Sequence, residues 1–226
     1  MEDVTDVHIL PLSSSKYLNP KCVYFNQNGK KRKWECITEH SGVSEFTLYN
    51  NLVAILLFNT SRDVFVFVKQ FRPAVYIQNA EAKKVNGEEV INTRHFPPSL
   101  GITIELCAGI VDKDAALTQV AQAEVLQECG YDVPENKLLK ITSFRNGTGT
   151  SGAVVNLYYA EVTDAMRVSK GGGLASEGEL IEVVEMTVTE ARQLIFDEDV
   201  NREASSMFAL LWFFQNVWPH KQNCLK

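Results

Sequence analysis

Residues 105–131 read ELCAGIVDKDAALTQVAQAEVLQECGY. Ile102–Leu106 is strand-like, and Cys107-Ala108-Gly109 carries it into a glycine turn. Ala115–Cys129 holds no Pro or Gly and predicts a helix. Asp112 and Asp114 stand near its start, where the helix dipole favours anions, and Gly130 follows where a left-handed C-terminal residue sits. On that helix Glu124 and Glu128 are four apart, one turn above the other, about 6 Å along the axis. Gln127 shares their face. Like charges at this spacing cost stability unless something positive sits between them. Alone, the pair reads as a solvated acidic face, and its surroundings must decide whether it is more.

Outward from this unit, strands and helices interleave. Leu52–Phe58 and Val64–Val68 are apolar runs without polar alternation, which predicts strands buried on both faces of a sheet. Further strands are expected at Leu139–Phe144, Val154–Val162 and Leu180–Met186, and helices at Thr189–Phe196 and Ala204–Val217. Near the start, Cys22–Phe25 and Trp34–Ile37 flank Asn28-Gly29, the signature of a tight hairpin. Residues 1–19 read as a loosely held arm, and 77–100, polar and with Pro97-Pro98, as an insertion loop. The expected class is α/β (α+β), a layered sandwich, with an arm and hairpin over 1–49, a main domain over 50–219 and a tail over 220–226.

Composition excludes several functions. The chain has 226 residues, 45% hydrophobic and 22% charged, which is enough apolar material for a sizeable core and excludes large-scale disorder. Its net charge of −6 gives no broad pull on nucleic acid or on an anionic membrane. The longest wholly apolar run, Met207–Phe214, is far short of the roughly 20 residues a membrane helix needs. Five cysteines at 22, 36, 107, 129 and 224 form no CxxC pair, so neither a zinc site nor a disulfide framework is signalled. A cytoplasmic protein without a signal peptide is expected.

Gly109–Tyr131 resembles the Nudix box, Gly-x5-Glu-x7-Arg-Glu-U-x-Glu-Glu-x-Gly-U, with U apolar or aromatic. Gly109, Glu124, Val125, Glu128, Gly130 and Tyr131 fall in register, while Ala115, Ala123 and Gln127 replace Glu, Arg and Glu. Three further stretches accompany it in order: Lys69-Gln70-Phe71-Arg72-Pro73-Ala74-Val75-Tyr76, Thr103–Gly109, and Gly171-Gly172-Gly173-Leu174 leading into Glu177–Val184. Together they are similar to the ADP-ribose and nucleoside-diphosphate-sugar pyrophosphatase branch of the Nudix hydrolases, over roughly residues 17–218.

The resemblance implies a Nudix-type α/β/α sandwich with a mixed sheet, and metal-dependent hydrolysis of the diphosphate of a nucleotide sugar. It implies Mg²⁺ held by Glu124, Glu128, Glu179 and the carbonyl of Ala108, with Glu177 as general base. It places Arg72 and Trp34 on the substrate, Trp34 stacking on a nucleobase, in a homodimer formed through the N-terminal region. Oxygen ligands suit a hard cation such as Mg²⁺, and the sequence offers carboxylates rather than a Cys/His cluster. Gln127, which supplies no charge, opens an alternative: a Nudix domain that binds a nucleotide or a protein and hydrolyses little.

Overall fold

The structure, a computed structural model, describes residues 4–15, 18–39, 51–111 and 114–224. The expected boundary at 49/50 and Asp112 lie outside the described residues. The chain runs through β1 (Val7–Ile9), β2 (Leu18–Gln27), β3 (Lys30–Glu39), β4 (Asn51–Asn59) and β5 (Val64–Phe71). It continues through α1 (Pro73–Asn79), β6 (Ala82–Val85), β7 (Glu88–Ile91), β8 (Ile102–Glu105), β9 (Cys107–Ile110) and α2 (Leu117–Glu124). After these come β10 (Leu139–Asn146), β11 (Ala153–Val162), β12 (Ile181–Thr187), α3 (Val188–Leu194), α4 (Ala204–Asn216) and α5 (Trp218–Cys224).

β4 and β5 are the spine. Their side chains alternate between two cores because successive residues of a strand point to opposite faces. Val53, Ile55 and Leu57 pack with Val66 and Val68 against Val120, Ala121, Val125 and Cys129. Ala54, Leu56 and Phe58 pack with Phe65 and Phe67 against Ala191, Leu194, Leu210 and Phe213. Both faces are therefore dry, which is why the two runs carry no polar alternation. The sheet is mixed: β4 pairs parallel with β11 and antiparallel with β5 and β9. Among the described residues its path is β10-β11-β4-β5-β12. This is the expected α/β/α sandwich with a mixed sheet.

The N-terminal hairpin forms as read. β2 and β3 pair antiparallel, and Asn28 (φ 52°) and Gly29 (φ 76°) supply the two left-handed residues of the turn.

Three expectations are corrected. The stretch 77–100 is not a plain loop. Pro73 starts α1 at a position where its missing N–H costs nothing, and β6 and β7 form a second hairpin across Asn86-Gly87, again both left-handed. Nor is the arm over 1–19 wholly loose, because β1 pairs with β7. The helix expected as one piece over 115–129 changes character. It is α-helical to Glu124 and then opens into a wider π turn over Val125–Cys129.

Candidate active site

β4 and β5 pair at their hairpin end, Leu57–Asn59 against Val64–Val66, and then splay apart. β8 pairs with the free half of β5, and β9 with the free half of β4. Leu106, buried at the corner between them, is where the sheet splits. This split delivers Glu105 at the end of β8 and Ala108-Gly109 on β9.

α2 and its π turn lie against β9. A Cβ on Gly109 would land on the Glu124 carboxyl, so any larger residue there would push that side chain out of its place. Four residues on, Glu128 is almost wholly buried, and its Oε2 accepts the backbone N–H of Ala108 at 3.0 Å. Burial pushes the Glu128 carboxyl up, to about 8. The Ala108 N–H and Cys107 pull the other way, and the charges of Glu124 and Glu179 raise it further. Glu179 arrives from the loop before β12. Its Oε2 accepts the N–H of Leu174 at 2.7 Å.

The sequence-predicted carboxylates Glu124, Glu128 and Glu179, and Ala108, therefore come together from three elements. Among the described residues no three acidic, Cys or His side chains are closed into a ligating cluster. The charges of Glu124 and Glu179 both disfavour ionised Glu128, a repulsion that a divalent cation relieves. All the side-chain donors are oxygens, as a hard cation requires. Gln127 is half-buried on the π turn. Glu177 ends a short 3₁₀ turn, Ala175–Glu177, and its side chain lies outside the described residues.

Arg72 stands just before α1 and turns back onto β8. Its Nε donates to Glu105 Oε1 at 2.8 Å and its Nη2 to Glu105 Oε2 at 2.6 Å, a bidentate fork. Glu105 also accepts from Thr103 Oγ1 (2.5 Å) and Gln70 Nε2 (3.1 Å). Burial alone would raise the Glu105 carboxyl, but the Arg72 fork, with Thr103 and Gln70, overrides it and leaves it below the usual carboxylate range. Arg72 stays half-exposed beside a cleft of about 320 Å³ lined by Thr103, Glu105, Asn201 and Glu203. Burial pushes the Glu203 carboxyl up, against a hydrogen bond from Ser205.

Neither Glu105 nor Glu203 is assigned a role by the sequence motifs. The signal for Glu105 is its place in the stretch Thr103–Gly109. Glu203 gives none, because the charged groups beside it, Arg72 and Glu105, are a hundred or so residues away in the chain.

Trp34 lies on β3, half-exposed, and its Nε1 donates to the carbonyl of Gly149 at 2.9 Å. Ile37 N–H donates to Thr150 O at 3.0 Å, so the hairpin docks on the Asn146–Gly152 loop. The hydrogen bond of Trp34 goes to that loop and to none of the acidic residues.

No family model matches the chain. Among known proteins it is similar to uridine diphosphate glucose pyrophosphatase NUDT14 of Bos taurus, 39% identical over 97% of this chain and 98% of that protein. The Mus musculus protein of the same name is 35% identical over the same shares. GDP-mannose pyrophosphatase of Klebsiella pneumoniae is 31% identical over 66% of this chain and 64% of its own length.

Proposed function

This chain belongs to the Nudix hydrolases, and from that membership we propose that it hydrolyses the diphosphate bond of nucleoside-diphosphate sugars. UDP-glucose, giving UMP and glucose 1-phosphate, is the first candidate, and ADP-ribose, giving AMP and ribose 5-phosphate, the second. The observation that carries the reading is the convergence of Glu124, Glu128 and Glu179 beside Gly109, at the point where the sheet splits.

Glu124, Glu128, Glu179 and the Ala108 carbonyl would hold Mg²⁺. When bound, a divalent cation neutralises the crowded diphosphate oxygens and acidifies an attacking water. The remaining work falls to this chain. The Ala108 N–H holds one oxygen of the Glu128 carboxyl in place. Glu177, tied by the reading to no cation, takes the proton of the attacking water onto its carboxylate. Gly178, in a left-handed conformation (φ 79°), gives that loop a hinge. Arg72, held flat by Glu105, offers its exposed edge to the substrate. Trp34 stacks on the base, from the partner subunit of a homodimer built through the N-terminal hairpin. Reduced cysteines, four of them free among the described residues, suit a cytoplasmic setting. Among the described residues no helix is long and apolar enough to cross a membrane.

The test is product chromatography after incubation with UDP-glucose, ADP-ribose or GDP-mannose, each with Mg²⁺ and with EDTA. The expected result is a nucleoside monophosphate and a sugar phosphate from at least one, only with the cation. Folded protein that yields no product from any of the three would overturn the reading. It would leave the binding-module alternative that Gln127 raises.

A further inference from the structure

The Gly171-Gly172-Gly173 segment does more than loosen a loop. It lies across the end of the π turn and satisfies the carbonyls that a helix end leaves without partners. Gly172 N–H donates to Glu128 O at 2.8 Å, and Gly173 N–H to Gln127 O at 3.1 Å. Just upstream, Val168 and Ser169 donate to Gly130 O at 2.9 and 3.2 Å. The contact leaves no space for a side chain. A Cβ on Gly171 (φ 69°) would overlap the Glu128 carbonyl. A Cβ on Gly173 (φ 79°) would stand 2.6 Å from Glu179 Oε2 and 2.8 Å from Glu179 Cβ. One strap therefore touches the backbone of Glu128 on one side and the side chain of Glu179 on the other. The Leu174 N–H that follows it holds the Glu179 carboxylate.

We infer that Gly171 and Gly173 are positioning residues that set the separation of the Glu128 and Glu179 carboxylates, making the helix end and the Glu179 loop one body. This rests on the reading that these carboxylates hold the cation. These two glycines act through close approach and left-handed backbone rather than through chemistry of their own. Their neighbour Gly172 has only Ile181 O near its Cβ position, at 3.5 Å, so its role is confined to the hydrogen bond.

The experiment measures Mg²⁺ binding by calorimetry, and melting in EDTA, for the full chain and for Gly173→Ala, Glu179→Gln and the double variant. Gly87→Ala is the control for left-handed backbone strain: Gly87 has φ 91°, nothing within 4 Å of its Cβ position, and a place in the remote β6–β7 turn. Gly173→Ala is expected to weaken Mg²⁺ at least tenfold while its EDTA melting point falls no further than that of Gly87→Ala. The double variant is expected to bind no more weakly than Glu179→Gln, because the strap acts through that side chain. Unchanged affinity in Gly173→Ala, or losses that simply add, would overturn the inference. Unchanged affinity in Glu179→Gln would instead sink the metal-site reading beneath it. If Gly173→Ala does not fold, hydrogen exchange on the unaltered protein decides. Mg²⁺ should slow the Gly172 and Gly173 amides about tenfold and leave those of the Asn86-Gly87 turn alone. Equal effects at both places would refute the coupling.

Discussion

At the scale of single residues the site turns on Glu128. A folded carboxyl at about 8 keeps a proton that the unfolded chain, near 4.5, gives up. Its contribution to stability is fully present below about 4.5 and is lost as the pH climbs through about 8. In EDTA the melting point should therefore fall by about 5 °C or more between pH 5.5 and 8.5. Glu128→Gln should flatten that slope, and parallel slopes for both proteins would show that another group titrates. Because a carboxylate ligand must first lose its proton, Mg²⁺ affinity should also rise with pH up to about 8. Arg72 gives a second test. Replacing it by Ala strands Glu105 in a pocket where its side chain is 4% exposed, which should cost about 3–5 kcal/mol in a denaturant titration. The carboxylates Glu124, Glu128 and Glu179 were legible because a motif spaces them along the chain. The fork between Arg72 and Glu105 was not, because it forms only when β5 and β8 become neighbours.

At the scale of elements, the signals that worked were those of short range. Asn28-Gly29 fixed one hairpin. The same Asn-Gly pair stood at 86–87, yet its strands Ala82–Val85 and Glu88–Ile91 are mostly exposed, so no apolar period drew attention to them. Their third strand, β1, lies at the far end of the chain, beyond the reach of any local pattern. The π turn was also hidden, since nothing in the side-chain pattern of Val125–Cys129 separates it from an α turn. Its effect is visible at the helix end. Gly130 N–H reaches Leu126 O and Tyr131 N–H reaches Val125 O, each span one residue longer than in an α-helical Schellman cap. Gly130 holds φ 78°, and a Cβ there would overlap Ser169 O. Gly130→Ala should cost about 2–4 kcal/mol in equilibrium unfolding, more than left-handed strain alone. A loss below about 1 kcal/mol would mean that the strap yields easily.

At the scale of the whole molecule, the hairpin is where this chain expects company. Val23 pairs with Trp34 and Phe25 with Arg32, which puts Val23, Phe25 and Trp34 on one face of the ribbon, all exposed. Light scattering should give twice 25.4 kDa for the parent, and Val23→Glu should shift it to the monomer. A parent that is already monomeric would remove the partner subunit's role in binding the base. The interior shows a different dependence. Phe213, fully buried, meets Phe58 at 4.9 Å and Phe65 at 4.7 Å between ring centroids, so α4 closes the second core late in the chain. The central β4 also waits, since its parallel partner β11 pairs Asn51 with Val154 and Asn59 with Val162. During synthesis at ordinary rates those hundred or so residues take about 5–20 s to appear, and through that interval one flank of a strand that is apolar from Leu52 to Phe58 has no hydrogen-bonding neighbour. The newborn chain thus carries its greatest risk of sticking to other chains before Glu124, Glu128 and Glu179 can meet, and its yield in the cell depends on how that interval is shielded.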